Sequence, residues 1–137
     1  MNNYIKTRFP SEEANESLAR GIAAFFILPL DPSVEDAEDV KTSVSEAVTN
    51  AVIHGYRDKK GEVEMELSLE GRILRVTVRD SGAGIEDVKK ARMPMFTTRP
   101  EEERSGMGFT IMESFMDELE VDSTPGKGTT ITMKKRL

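Results

Sequence analysis

A chain of 137 residues, 37% hydrophobic and 32% charged, holds enough apolar material for one domain with its own core. Cysteine is absent and His54 is the one histidine, which excludes disulfides, thiolate metal sites and multi-histidine metal sites. A net charge of −6 argues against nucleic acid as the main ligand, and no membrane-length apolar run or signal-peptide pattern is present, so a soluble cytoplasmic protein is expected.

Tyr4 to Phe9 alternates, with Ile5, Thr7 and Phe9 on one side, and Pro10 closes it as a strand. Ser11 reads as the N-cap of a helix that carries Glu12 and Glu13 in its first turn and runs to about Leu28, before Pro29. Ala14, Leu18, Ile22, Phe25 and Phe26 make its expected core stripe. Arg20 falls near the middle of the opposite face, with Glu13, Glu16 and Ala24. The run Ala23-Ala24-Phe25-Phe26-Ile27-Leu28 is apolar nearly all round, more than one buried stripe requires. It is either a deeply packed helix end or a protein–protein surface with Arg20 as a charged anchor.

Asp31-Pro32-Ser33 starts a second helix, with Asp31 or Ser33 as cap, that ends near Gly55. Val40, Val44, Ala47, Val48 and Ala51 share one side of it. Glu46 and Asn50 stand one i,i+4 step apart near the other side, with side chains roughly 5–6 Å apart. Such a pair is either a solvated polar stripe or part of a site. After the polar loop Asp58-Lys59-Lys60-Gly61, Val63, Met65, Leu67 and Leu69 alternate, Glu70-Gly71 turns, and Leu74, Val76 and Val78 alternate again. This is a β-hairpin.

Asp80 continues the phase of Leu74, Val76 and Val78, so its carboxylate is expected on the covered face, just before Ser81-Gly82-Ala83-Gly84. A buried carboxylate needs hydrogen-bond donors. They are either the amides of the turn or a ligand at the mouth of a pocket. Ile85 to Ala91 fits a short helix, and Met93 to Ser105 is an irregular loop of the length that usually carries function. Gly106-Met107-Gly108 then opens a helix with Phe109, Met112, Phe115, Met116 and Leu119 at helical spacing, and its exposed N–H groups offer an anion site. Leu119 and Val121, then Thr129, Ile131 and Met133, read as two strands joined by Ser123-Thr124-Pro125-Gly126-Lys127-Gly128. No repeat or second domain interrupts residues 1–137, which are read as a single domain.

The glycine pattern matches neither the P-loop nor the dinucleotide fingerprint, and the protein-kinase signatures are missing. The ordered set instead resembles the ATP-binding fold shared by DNA gyrase, the heat-shock chaperone of 90 kDa, histidine kinases and MutL. Glu46-x-x-x-Asn50 resembles the N box, Asp80-Ser81-Gly82-Ala83-Gly84 the D-x-G-x-G box, and Gly106-Met107-Gly108 and Gly126-Lys127-Gly128-Thr129 the later glycine boxes. Within that fold, Ser45 to Tyr56, Phe96-Thr97-Thr98-Arg99-Pro100 and Arg104 to Met112 resemble the small anti-sigma factors that are also serine protein kinases, best of all the sporulation type that acts on sigma F in Bacillus-type bacteria.

The resemblance implies an α/β two-layer sandwich, a mixed and mostly antiparallel sheet with helices on one face. It implies ATP/ADP and Mg²⁺ as cofactors, with Asn50 giving an amide oxygen to Mg²⁺ and Glu46 acting as general base on the attacking hydroxyl. Asp80 would accept from the adenine 6-amino group beside Thr129, while Gly82 and Gly84 let the backbone approach the base. Ser105, Gly106, Met107 and Gly108 would cradle the phosphates beneath a lid formed by residues 93–104. Arg104 would either reach the terminal phosphate or remain surface charge. The only histidine lies inside the N-box helix, so self-phosphorylation on histidine is not expected, and His54 reads as a helix-end residue near the phosphates. Implied partners are an RNA polymerase sigma factor, an anti-anti-sigma factor bearing the phosphoacceptor serine, and a second copy of the chain. Beyond the resemblance, the outward apolar and Arg20 surface of the first helix is expected to contribute to dimer or sigma contacts. The rival readings are an anti-sigma regulator of a general-stress sigma factor and an ATP-binding switch without kinase activity.

Overall fold

The computed structural model describes residues 2–94 and 107–137. The expected lid, with Arg104, Ser105 and Gly106, therefore lies mostly or wholly outside the described residues. Five strands build one sheet: β1 (Asn2–Pro10), β2 (Glu62–Glu70), β3 (Ile73–Asp80), β4 (Glu118–Thr124) and β5 (Gly128–Arg136). Their order is β1-β2-β3-β5-β4, and all four pairings are antiparallel. The helices are α1 (Asn15–Ile27), α2 (Val34–Thr49), α3 (Val88–Ala91) and α4 (Gly108–Phe115). None among the described residues is long and apolar enough to cross a membrane.

The alternation read in the sequence sets the register. Met65 pairs with Val78, Leu67 with Val76 and Leu69 with Leu74, while Val78 faces Ile131 and Val76 faces Met133. Because side chains alternate across a strand, these apolar residues share one face and are buried beneath α1, α2 and α4. The other face carries charge, with Arg8 2.9 Å from Glu64 and Lys134 3.6 Å from Glu118. The expected two-layer sandwich follows from this asymmetry. Pairs as exposed as these add little stability, but their desolvation cost keeps that face open to water.

The start of α1 departs from expectation. Ser11 does not cap it: its hydroxyl accepts from the Gly61 N–H at 2.9 Å, and its own N–H donates to the Gly61 carbonyl, so it closes the β1–β2 end instead. The helix begins at Asn15 after two turns of backbone, with no side-chain cap. Its buried side is Ala19, Ala23 and Ile27, whereas Leu18 and Phe25, expected in the core, are 52% and 77% exposed. An all-round apolar helix has no unique period, and packing chose the small-residue side because alanines let α1 approach α2 closely. Ser33, one of the two expected caps, is the N-cap of α2, its hydroxyl accepting from the Asp36 N–H at 3.0 Å.

The second helix does not stay α-helical to Gly55. At Asn50 it widens into a π-helix, Asn50–Tyr56, and Arg57 ends it with φ 56°. Widened turns of this kind are rare and recur at functional sites.

Candidate functional site

The π-helix starts at the residue that the sequence singles out. Asn50 is also the C-cap of α2, and Glu46 stands one turn earlier. Both line a cavity of about 750 Å³, together with Thr49, His54, Gly84 and Gly108. The polar stripe of α2 is therefore one wall of a cleft rather than a plain solvated face. Across the cleft, α4 begins at Gly108, and its N-cap residue Met107 makes no side-chain cap. The start of a helix is a place where an anion is favoured. Arg57 and Lys90 add cationic groups to the same lining. Neither was singled out in the sequence, where both read as ordinary surface charge in polar segments.

Asp80 ends β3 on the covered face, as its phase requires, and is 8% exposed. Its carboxylate accepts the Gly82 N–H at 2.9 Å and the Thr129 N–H from the facing strand. Burial nevertheless outweighs those two bonds and pushes its pKa up to about 6. The group is held in place yet short of the donors that full ionisation demands.

The glycines of the turn act differently from the expectation. A side chain at Gly82 would strike the carbonyl of Gly55, and one at Gly84, where φ is +74°, would strike the carbonyl of Thr124. Both are needed for backbone-on-backbone packing within the protein. The Ala83 N–H donates to Gly55 O at 2.7 Å, and the Gly126 N–H donates to Ala83 O at 2.7 Å. Gly55, read in the sequence only as the end of the second helix, is the third member of this layer: a Cβ there would lie 2.6 Å from Asp80 Oδ1. Its signal was the close sequence approach of a glycine to the end of a helix, easily read as a mere stop.

Two hydroxyl residues brace the turn. Tyr56 donates to the Glu62 carbonyl at 2.5 Å and accepts from the Ser81 N–H at 2.9 Å. Ser123 accepts from the Ile85 N–H at 2.8 Å and lies 2.8 Å from Thr129 Oγ1. Thr129, 3% exposed, is the cross-strand partner of Asp80. The fold thus brings Glu46, Asn50, Gly84 and Gly108 around one cavity. Asp80 and Thr129 border a second, of about 700 Å³, on the other side of the turn. Gly82 is internal to the wall between them. Arg20 is remote from both linings, on α1, its guanidinium 3.5 Å from Glu16.

A helix bearing Glu46 and Asn50, a buried aspartate before a glycine turn and a glycine-opened helix, all over one antiparallel sheet, match a known domain. Residues 9–135 match the histidine kinase-like ATPase domain family over nearly the whole chain. The chain belongs to that family. Among relatives of this ATPase-domain chain, a protein named anti-sigma F factor from Thermoanaerobacter sp. (strain X514) is 53% identical over 135 residues, covering 98% of the chain and 94% of the relative. Those from Clostridium kluyveri (strain ATCC 8527 / DSM 555 / NBRC 12016 / NCIMB 10680 / K1) and Bacillus subtilis (strain 168), bearing the same name, are 53% and 51% identical over 97% and 100% of the chain, and each is 94% covered. At such identity over nearly the full length, the ATPase-domain fold is shared.

Proposed function

We propose that this chain is an ATP-dependent anti-sigma factor that captures sigma F of RNA polymerase and phosphorylates a serine of its anti-anti-sigma antagonist. The observation that carries the reading is the convergence of Glu46, Asn50 and the start of α4 on one cavity, in a chain whose relatives, matched over nearly their full length, are named anti-sigma F factors. The relatives' name favours sigma F over a general-stress sigma factor. A protein that captures a sigma factor works in the cytoplasm.

The residues fit an adenine nucleotide. Burial raises the pKa of Asp80 to about 6, and an exocyclic amine would add a donor that stabilises the carboxylate. Thr129 stands beside it across β3 and β5. The start of α4 at Gly108, with the helix dipole behind it, suits the phosphates; the other expected phosphate residues, Arg104, Ser105 and Gly106, lie outside the described residues.

Mg²⁺ fits the donor set in a particular way. Among the described residues no group of three or more acidic or histidine side chains could hold a metal. A hard octahedral ion bound through one amide oxygen, phosphate oxygens and water asks for no such cage. Asn50 is the amide; the ion would neutralise charge developing on the phosphates. Glu46 orients the incoming serine hydroxyl and takes its proton as the oxygen attacks. The phosphoryl group passes to that oxygen, and ADP leaves. His54 borders the same cavity and belongs to the wall rather than to the transfer.

Incubating the chain with labelled ATP, Mg²⁺ and the antagonist tests the kinase reading. Phosphoserine is expected with the parent chain and a loss of at least a hundredfold in rate with Glu46→Gln, while nucleotide affinity changes little. Full transfer by Glu46→Gln would remove Glu46 from the role of base. No phosphoserine from the parent chain would leave an ATP-binding switch as the function.

A further inference from the structure

Lys135 stands where an apolar side chain is expected. It follows Ile131 and Met133 on the covered face of β5, opposite Leu74, and is 8% exposed. A buried ammonium is costly unless its hydrogens are taken up. Here they are. The Lys135 Nζ donates to the Phe115 carbonyl at 2.7 Å and lies 3.7 Å from both Asp36 Oδ1 and Asp39 Oδ2. Phe115 is the last residue of α4, whose final turn has no basic residue of its own. Asp36 and Asp39 sit near the start of α2. The cation thus meets the negative end of one helix dipole, and Asp36, in the first turn of α2, meets the positive end of the other. One side chain joins the sheet, the C-terminus of α4 and the N-terminal part of α2.

Those two helices form facing walls of the cleft. Glu46 and Asn50 lie at the far end of α2, and Gly108 opens α4 about 10 Å from Phe115, given seven steps at the usual rise. Phe109 and Met112 bury one side of this short helix, and the Lys135 bond holds its last carbonyl, so the tie at one end helps to set where the other end points. We propose that Lys135 is a positioning residue for the phosphate end of the nucleotide site, setting the start of α4 against Asn50. This rests on the nucleotide reading above. The base end is braced separately by Tyr56, Ser123 and the glycine layer, so the two ends of the site are held by different side chains.

The test compares ATP with adenosine by calorimetry, in the full chain with Mg²⁺. Lys135→Met keeps the length and apolar stem, and Asp36 and Asp39 remain partly exposed to water, so the fold is expected to persist. ATP affinity is expected to fall about tenfold while adenosine affinity stays within twofold. A merely structural lysine would lower the melting temperature and weaken both ligands alike, and that result, or unchanged affinity for both, overturns the proposal. Should Lys135→Met not fold, the double variant Asp36→Asn with Asp39→Asn releases the α2 side of the tie instead. The same selective loss of ATP supports the proposal, and none refutes it. Failure of the parent chain to bind ATP would refute the nucleotide reading itself, a distinct outcome.

Discussion

Asp80 is the residue at which burial and function meet. Burial penalises its charge more than the Gly82 and Thr129 N–H groups favour it, which brings its pKa up to about 6 from the usual 3.8. The folded chain therefore holds this proton more tightly than the unfolded chain. Its contribution to stability is full below pH 3.8 and is lost as the pH rises through about 6. Ligand binding has the opposite sign, because a 6-amino group needs the ionised acceptor. Adenosine affinity is expected to rise roughly tenfold between pH 5 and pH 7 and then level off. Titration calorimetry across that range checks it. Asp80→Asn is expected to bind weakly with a flat profile; a parent profile already flat would show that another group reads the base.

At the scale of elements, the site is made by one helix changing its pitch. Had α2 continued as α-helix past Asn50, the carbonyl of Gly55 would point along the axis rather than to the Ala83 N–H that it now meets at 2.7 Å. The π-helix also carries Tyr56 to the junction of β2 and the Ser81 turn, where its ring packs against the α-carbon of Gly61. Tyr56→Phe keeps that packing and removes the hydroxyl, leaving the Ser81 N–H and the Glu62 carbonyl without their partner. The loss is expected to be about 1–3 kcal/mol in chemical denaturation, and nucleotide affinity should weaken with it because the turn bearing Asp80 loosens. An unchanged midpoint would mean that water replaces the hydroxyl at no cost.

The whole molecule shows how a domain of this size divides its surface. One sheet face is charged, one is covered, and α1 is left with an outward apolar side of Leu18, Phe25 and, just beyond its end, Leu28. The nine-residue strand β1 lies at the sheet edge with Tyr4 exposed. An exposed edge and a helix face of this kind are commonly covered by a partner. Arg20 lies nearby on α1, held by Glu16, which also accepts a hydrogen bond from the Ser45 hydroxyl of α2. Under the proposed function this side meets sigma and a second copy of the chain. Arg20→Glu is expected to lose at least tenfold in sigma affinity with ATP binding intact, and Phe25→Asp to shift sedimentation equilibrium toward monomer. Sigma binding untouched by Arg20→Glu would remove Arg20 from the interface.

The sequence by itself determined the sheet and the addresses of the site. Strict alternation in β2 and β3 leaves one register that buries Met65, Leu67, Leu69, Leu74, Val76 and Val78 together, and the same parity puts Asp80 under the helices before any contact is known. The spacing of Glu46 and Asn50 likewise required a common face. Only the tertiary structure decided which side of α1 is the core, because six consecutive apolar residues carry no phase and alanine packing broke the tie. It alone disclosed the π-helix, a backbone change with no compositional mark, and the purpose of the glycines at 55, 82 and 84, which depends on backbone brought together from distant parts of the chain. Lys135 belongs to the same class. In the sequence it is one of three basic residues at a chain end, and its role exists only where two helix ends and a strand converge on one ammonium.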